Sequence, residues 1–152
     1  MILYCDTSAL VKLYIAEQHS DLMRIALEKA EVVAASRIAW AELHAALARR
    51  AREMIEDEQA IDRARISFVQ DWGHYLVVDV TQRIVEKAGE FAQVFALRAY
   101  DAVQLATAAH IQDQAEPGIT FACFDKRLNQ AAGILGMRTN TGGNQDAAPT
   151  ES

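Results

Sequence analysis

Short apolar runs alternate with longer stretches of helical periodicity along this chain. Runs bounded by turn or cap residues predict four strands, with a short fifth near Met137: Ile2 to Cys5, Val32 to Ser36, Leu76 to Val80 and Ile119 to Phe124. Strands that alternate with helices favour a parallel sheet covered by helices on both faces. We therefore expect an α/β fold with three layers, α/β/α, and a mostly parallel central sheet of four to five strands.

The segments between the predicted strands carry apolar residues at helical spacing. In the second helical stretch Leu22, Ile25 and Ala26 share one face, which we expect to be buried. Later helices are predicted at Asp57 to Trp72, Thr81 to Phe95 and Tyr100 to His110. The last residues lack any apolar period. We expect one domain over residues 1–139 and a flexible C-terminal tail over 140–152.

The composition is that of an ordinary soluble globular protein. The chain has 152 residues, which suits one domain able to bury roughly 70% of its unfolded surface. Hydrophobic residues make up 51% and charged residues 24%, and no apolar stretch approaches the ~18 residues of a membrane span. The N-terminus shows no basic segment ahead of a longer apolar one. We therefore expect a cytoplasmic protein with no membrane partner.

Charge and cysteine usage narrow the function classes. The net charge of −6 argues against a broad basic surface for nucleic acid, so any such contact must be local. Cys5 and Cys123 lie outside any CxxC pattern, which favours reduced, buried thiols over a zinc site or a disulfide. The histidines show no metal-binding or catalytic spacing.

Four carboxylates stand where a charged side chain is locally unexpected. Asp6 and Asp125 each end an apolar run just before a helix begins, and Asp101 opens a helix whose next residues are largely apolar. Glu42 lies in a helix dominated by Ala, Leu and Trp. Ordinary explanations exist, with the aspartates as helix N-caps and Glu42 as a solvated helix former. If their strands are neighbours, however, the acids converge at the carboxyl edge of the sheet, where open α/β proteins bind ligands.

Convergence of these acids requires a counter-charge. Two unit charges ~5 Å apart repel by roughly 3 kcal/mol at an effective dielectric of 20. Hard divalent cations prefer oxygen ligands, so Mg²⁺ meets this need and Mn²⁺ can substitute for it. Such an ion activates water and stabilises the charge that develops on a reacting phosphate. The acids thus indicate metal-assisted phosphate chemistry.

Several basic residues lie near the acids in sequence. They are candidates for contacts with a nucleic-acid backbone: Lys12, Arg37, Arg49 and Arg98. A solvated basic helix face with i,i+4 partners explains any one of them equally well.

The order and context of the acids resemble those of the PIN domain, and most closely the VapC type of toxin ribonuclease from toxin–antitoxin pairs. The resemblance extends over nearly all of residues 1–139 and rests on four stretches: YCDTSALVKLY, AWAELHAAL, YDAVQLATAAH and FACFDKRLNQAAGILGM. It implies a doubly wound PIN-like fold with the acids at its carboxyl edge. It also implies that the protein binds Mg²⁺ or Mn²⁺ and hydrolyses RNA phosphodiester bonds.

Carried onto this chain, the resemblance makes Asp6 and Asp101 the principal metal ligands. Glu42 and Asp125 would then hold metal-bound waters or a second ion. It implies further that Thr7 or Ser8 holds a ligand or a water in place, that the protein forms a homodimer, and that a small antitoxin neutralises it by placing its tail in the site.

The chain departs from the family pattern at one position. Many relatives carry Ser or Thr two positions before the last acid, where this chain has Cys123. A hydroxyl contribution from that position is therefore lost, although all four acids are retained. The alternative is a catalytically silent PIN-like binding or assembly module, which metal-dependent cleavage would separate from the nuclease.

Overall fold

The computed structural model describes residues 1–116 and 118–140. Its strands are β1 Ile2–Cys5, β2 Val32–Ser36, β3 Leu76–Val78, β4 Ile119–Ala122 and β5 Arg138–Thr139. Its helices are α1 Thr7–Tyr14, α2 Ser20–Lys29, α3 Ala39–Glu53, α4 Glu58–Trp72, α5 Gln82–Phe95, α6 Ala99–Gln112 and α7 Lys126–Ile134, with a 3₁₀ turn at Ile55–Asp57. The predicted α/β alternation is confirmed.

The described strands form one parallel sheet in the order β3-β2-β1-β4-β5. Strand β1 therefore lies at the centre of the sheet, with β2 and β3 on one side and β4 and β5 on the other. The strand order reverses between β1 and β4. The register pairs Cys5 with Ala122, and the next amide, that of Asp6, donates to Ala122 O at 3.1 Å. In open parallel sheets the ligand crevice forms beyond the carboxyl ends of the strands at such a reversal. The fold thus places Asp6 at that crevice.

Successive residues of β1 face opposite sides of the sheet and join two separate cores. Leu3 and Cys5 pack in the core formed with α1 to α4, whereas Tyr4 packs in the core formed with α5, α6 and α7. All three side chains are fully buried. These two cores confirm the predicted α/β/α layers.

The buried face of α2 differs from the prediction. Leu22 and Ile25 are 38% and 49% exposed, whereas Ala26 is buried as predicted and Met23 is buried with it. The start of the helix sets this rotation, because Ser20 Oγ donates to a carbonyl of the preceding turn at 2.9 Å. Ser20, Met23 and Ala26 then follow one another at helical spacing toward the core.

Strand β3 and the C-terminal segment were also compared with their predicted bounds. Strand β3 ends at Val78, two residues earlier than the sequence pattern predicts. The described elements end at Thr139, and the predicted flexible tail lies, from residue 141 onward, outside the described residues. Within the part of the chain that the structure describes, no helix is long and apolar enough to cross a membrane.

Candidate active site

Asp6 follows β1 directly and caps α1. Its Oδ1 accepts hydrogen bonds from the Ala9 backbone N–H at 2.9 Å and from Ser8 Oγ at 2.7 Å. The N-cap explanation of this residue is therefore confirmed. Both bonds fall on Oδ1, however, so the cap leaves Oδ2 for a ligand. The residue is only 6% exposed.

Asp125 repeats this arrangement after β4. Its Oδ1 caps α7 by accepting from the Leu128 backbone N–H at 2.8 Å. Asp101 lies in the first turn of α6, where Arg98 is the N-cap residue, so the cap explanation is wrong for this aspartate. Asp101 and Asp125 line one open cleft of about 640 Å³, which we call the acid cleft, together with Arg98, Lys126, Arg127 and Gln130.

Glu42 lies in the first turn of α3 and is held by two side chains from other helices. Its Oε1 accepts from Thr7 Oγ1 at 3.1 Å and from Gln104 Nε2 at 3.1 Å. Glu42 is therefore an anchored carboxylate and not simply a solvated helix residue. As with Asp6, both bonds fall on one oxygen and leave the other, Oε2, for a ligand.

Gln104 is a residue of the site that was not predicted from the sequence. This residue is 3% exposed and lies three positions after Asp101 on α6. The available signal was a long polar side chain inside the run AVQLATAA, whose other residues are apolar except for one threonine. A buried amide needs hydrogen-bond partners, so its presence in such a run indicates a buried polar network.

Burial and mutual repulsion raise the pKa values of three of the acids. Burial raises the pKa of Asp6 to about 6, and the charges of Asp101 and Glu42 add to the rise. Burial likewise raises the pKa of Glu42, with Asp101 as its charged neighbour. The pKa of Asp101 is raised by burial and by Asp125, while Arg98 opposes that shift. Each of these shifts has another of the four acids among its causes, so neighbouring carboxylates lie near enough to repel one another.

The donor set can be tested against a hard divalent cation. Its donors are all carboxylate oxygens, the type that Mg²⁺ prefers. Among residues 1–116 and 118–140, no three His, Cys, Asp or Glu side chains form a preassembled ligand group. Mg²⁺ needs only one or two carboxylates, since waters and substrate phosphate complete its shell. The chemistry of these carboxylates suits such an ion, and its candidate ligands are Asp6, Glu42, Asp101 and Asp125.

Three neighbours of the acids have distinct roles in the structure. Ser8 donates to Asp6 and Thr7 donates to Glu42, so each hydroxyl fixes one carboxylate. Cys123 is fully buried, and its Sγ lies 3.6 Å from the backbone oxygen of Asp125. Burial, reinforced by the charge of Asp6, raises the pKa of the Cys123 thiol. The thiol therefore stays neutral beside the acids.

Two of the predicted basic residues lie along a second groove, of about 500 Å³. We call it the basic groove and define it by Ser8, Lys12, Glu17, Arg49 and Arg50. Glu17 bridges two of the cations, with Oε1 2.9 Å from Lys12 Nζ and Oε2 2.7 Å from Arg50 Nη1. Because Ser8 also donates to the capping aspartate of α1, the groove begins at the acids.

The other two predicted basic residues are placed differently from each other. Arg98 lines the acid cleft beside Asp101. Arg37 follows β2 and pairs with Asp79 at 2.7 Å, and both side chains are exposed. Arg37 lines neither the acid cleft nor the basic groove.

Comparisons with known structures identify the fold. A toxin–antitoxin complex from Klebsiella pneumoniae matches with a TM-score of 0.65 and 20% identity, over 91% of this chain and 97% of that chain. FitAcB from Neisseria gonorrhoeae matches with a TM-score of 0.61 and 18% identity, over 91% of this chain and 96% of that chain. At these identities the likeness shows a shared fold.

Sequence comparisons identify the family. The PIN domain family model matches residues 3–134. Ribonucleases VapC45 and VapC49, from two strains of Mycobacterium tuberculosis, are each 34% identical to this chain over 137 residues, which cover 90% of this chain and 93% of each relative. The chain therefore belongs to the PIN domain family, within the VapC group.

Proposed function

We propose that this protein is a metal-dependent endoribonuclease that hydrolyses RNA phosphodiester bonds and serves as the toxin of a toxin–antitoxin pair. The observation that carries the proposal is the position of the acids where the strand order reverses: Asp6 and Asp125 cap the helices that follow the neighbouring strands β1 and β4, and Asp101 lines one cleft with Asp125. Relatives of nearly the same length are named ribonucleases, which supports RNA as the substrate.

The ion that fits this site is Mg²⁺, and Mn²⁺ substitutes for it. When bound, it supplies a Lewis acid for the phosphate and activates water for attack on phosphorus. The chain's own groups prepare the site by fixing one oxygen of each anchored acid. Protein donors hold Oδ1 of Asp6, Oε1 of Glu42 and Oδ1 of Asp125. Asp101, which is coupled to the other acids, completes the set.

The two grooves provide a path for the RNA strand. The acid cleft places Arg98 beside Asp101, and the basic groove leads from Ser8 past Lys12 and Arg49. Cations at both sites can neutralise backbone phosphates on either side of the scissile bond. Two of the predicted contacts are already paired, Lys12 with Glu17 and Arg37 with Asp79, so each would bind RNA only after its ion pair opens.

The proposed partners follow from the family. The fold neighbours include a toxin–antitoxin complex, which supports a protein antitoxin as a partner of this chain. We expect that antitoxin to cover the acids. We propose that the protein is a cytoplasmic homodimer in this assembly. Size-exclusion chromatography with light scattering, with and without a co-expressed antitoxin, measures both associations.

The proposed activity is tested by cleavage of structured RNAs by purified, antitoxin-free protein. We expect internal cleavage with Mg²⁺ or Mn²⁺, none with EDTA, and recovery when excess Mg²⁺ is added back. A circular RNA in the panel separates endonuclease from exonuclease action. Folded protein that binds neither ion and cleaves no RNA would support the silent binding module instead.

Substitution of Arg98 by Gln tests the RNA path. We expect several-fold weaker RNA binding and a decrease of about 1 in the slope of log Kd against log salt, because one phosphate contact is lost. The matched control is Arg63→Gln, an exposed residue of α4 that lines neither groove. Binding is measured by fluorescence anisotropy in EDTA at several salt concentrations. Equal slopes for the two variants would remove Arg98 from the path.

A further inference from the structure

The amide of Gln104 joins four separate elements beside the acids. Its Oε1 accepts from Tyr4 OH at 2.6 Å, and its Nε2 donates to Glu42 Oε1 at 3.1 Å and to Thr7 Oγ1 at 3.4 Å. Thr7 Oγ1 in turn donates to the same Glu42 oxygen at 3.1 Å. These residues come from β1, α1, α3 and α6, so the amide connects both layers of helices through the sheet edge.

The direction of the amide is fixed by its partners. A glutamine amide oxygen can only accept, so Tyr4 must be the donor in their hydrogen bond. Tyr4 is fully buried, so its hydroxyl proton is shielded from water and is directed at this amide oxygen. The opposite amide orientation would turn Oε1 toward the Glu42 carboxylate, which repels it. Both Nε2 hydrogens are therefore directed at Thr7 and Glu42.

We propose that Gln104 is a positioning residue for the metal site: oriented by Tyr4, it anchors Glu42 Oε1 and Thr7 so that Glu42 Oε2 is presented to the ion. The inference rests on the proposed function, since it presumes an ion among the acids. Gln104 itself contacts no reacting group and acts through Glu42. Hydrogen bonds of this kind to a ligating carboxylate fix its direction and commonly set the metal affinity.

A purely structural role would need less than the structure provides. Tyr4 OH requires one acceptor in the core, and any buried carbonyl could supply it. The Gln104 amide also reaches 62 residues back along the chain to an acid of the site. It lies one turn after Asp101 on the same helix, which ties the position of Glu42 to that of Asp101.

Gln104→Leu tests the proposal by Mn²⁺ binding, measured with isothermal titration calorimetry and with electron paramagnetic resonance of free Mn²⁺. We expect Mn²⁺ affinity to fall by about 10-fold, the lower end of the range for loss of a supporting hydrogen bond to a ligand. The matched control is Gln112→Leu on the same helix. This variant loses the hydrogen bond that Gln112 Nε2 donates to Leu135 O at 2.9 Å, which involves none of the acids. The control is expected to bind Mn²⁺ as the native protein does.

Tyr4→Phe gives an independent variant if Gln104→Leu does not fold. It keeps the amide but removes the donor that orients it, and we expect weaker Mn²⁺ binding here as well. Native affinity in a folded Gln104→Leu or Tyr4→Phe protein would overturn the positioning role alone. Absence of Mn²⁺ binding in the native protein would overturn both this role and the proposed metal dependence.

Discussion

Asp101→Asn is expected to lower the rate of metal-dependent RNA cleavage by about 10³-fold. Asn is nearly isosteric with Asp but lacks the charge that binds a cation, and Asp101 is the acid coupled to the others. Loss of one electrostatic element of an active site costs about 4 kcal/mol of transition-state stabilisation, which corresponds to this factor. Initial cleavage rates at saturating Mg²⁺ measure the effect.

The stability of the metal-free Asp101→Asn protein distinguishes a loss of catalysis from a loss of folding. Burial and the charge of Asp125 raise the pKa of Asp101 in the folded state, so its ionisation opposes folding at neutral pH. The metal-free variant should therefore be at least as stable as the native protein in urea unfolding. Asp113→Asn, at the exposed C-terminal end of the same helix, is the matched control and should cleave normally. A fully active Asp101→Asn protein would contradict the assignment of this residue.

Asp6→Asn is expected to stabilise the metal-free protein by about 3 kcal/mol at pH 8. Burial raises the pKa of Asp6 from its ordinary 3.8 to about 6, so the folded state holds the proton more tightly than the unfolded state. At 1.36 kcal/mol for each pH unit between these values, ionisation at pH 8 costs the native protein about 3 kcal/mol. Asn carries no charge and caps a helix about as well as Asp, so the variant avoids this cost.

The raised pKa of Asp6 determines how the stability difference between the native and Asp6→Asn proteins changes with pH. Below pH 3.8 the carboxyl is protonated in both states and the two proteins differ little, whereas above pH 6 it is ionised in both and the cost is complete. The stability gap should therefore be about half as large at pH 5 as at pH 8. Urea unfolding in EDTA at both pH values measures it. A gap that does not change between pH 5 and pH 8 would contradict the pKa shift of Asp6.

Added metal should nearly close the stability gap between these two proteins at pH 8. At 100 times its dissociation constant, Mn²⁺ should stabilise the native protein by about 2.7 kcal/mol, because it binds only the folded state. Asp6→Asn lacks one of the proposed ligands and should gain much less. Equal stabilisation of both proteins by Mn²⁺ would exclude Asp6 as a ligand.

Patterns within a few neighbouring residues predicted several elements of this fold. The strand pattern predicted β1 and β2 with their observed bounds, and it predicted the capped starts of α1 and α7. A strand followed by an aspartate cap is encoded within a few residues, so it can be identified without the tertiary structure. Once the strands are known to be parallel, their carboxyl ends share an edge, and the acids are expected there together.

The buried face of α2, the role of Gln104 and the pairing of Lys12 were not predicted, because each depends on a side-chain contact outside its own helix. The buried face of α2 depends on the hydrogen bond from Ser20 to the preceding turn. The Gln104 amide is oriented by a hydrogen bond from Tyr4, 100 residues earlier in the chain. Likewise, Lys12, predicted as a nucleic-acid contact, shares Glu17 with Arg50 of another helix.

By itself, the sequence determined the α/β class, the strands and the acids that end them, because these depend on periodicity and on capping between near neighbours. Only the tertiary structure decided which oxygen of each acid is anchored, which cations are already paired, and that a buried glutamine holds Glu42. Hydrogen bonds and ion pairs between distant segments depend on distances of a few ångströms that no sequence spacing records.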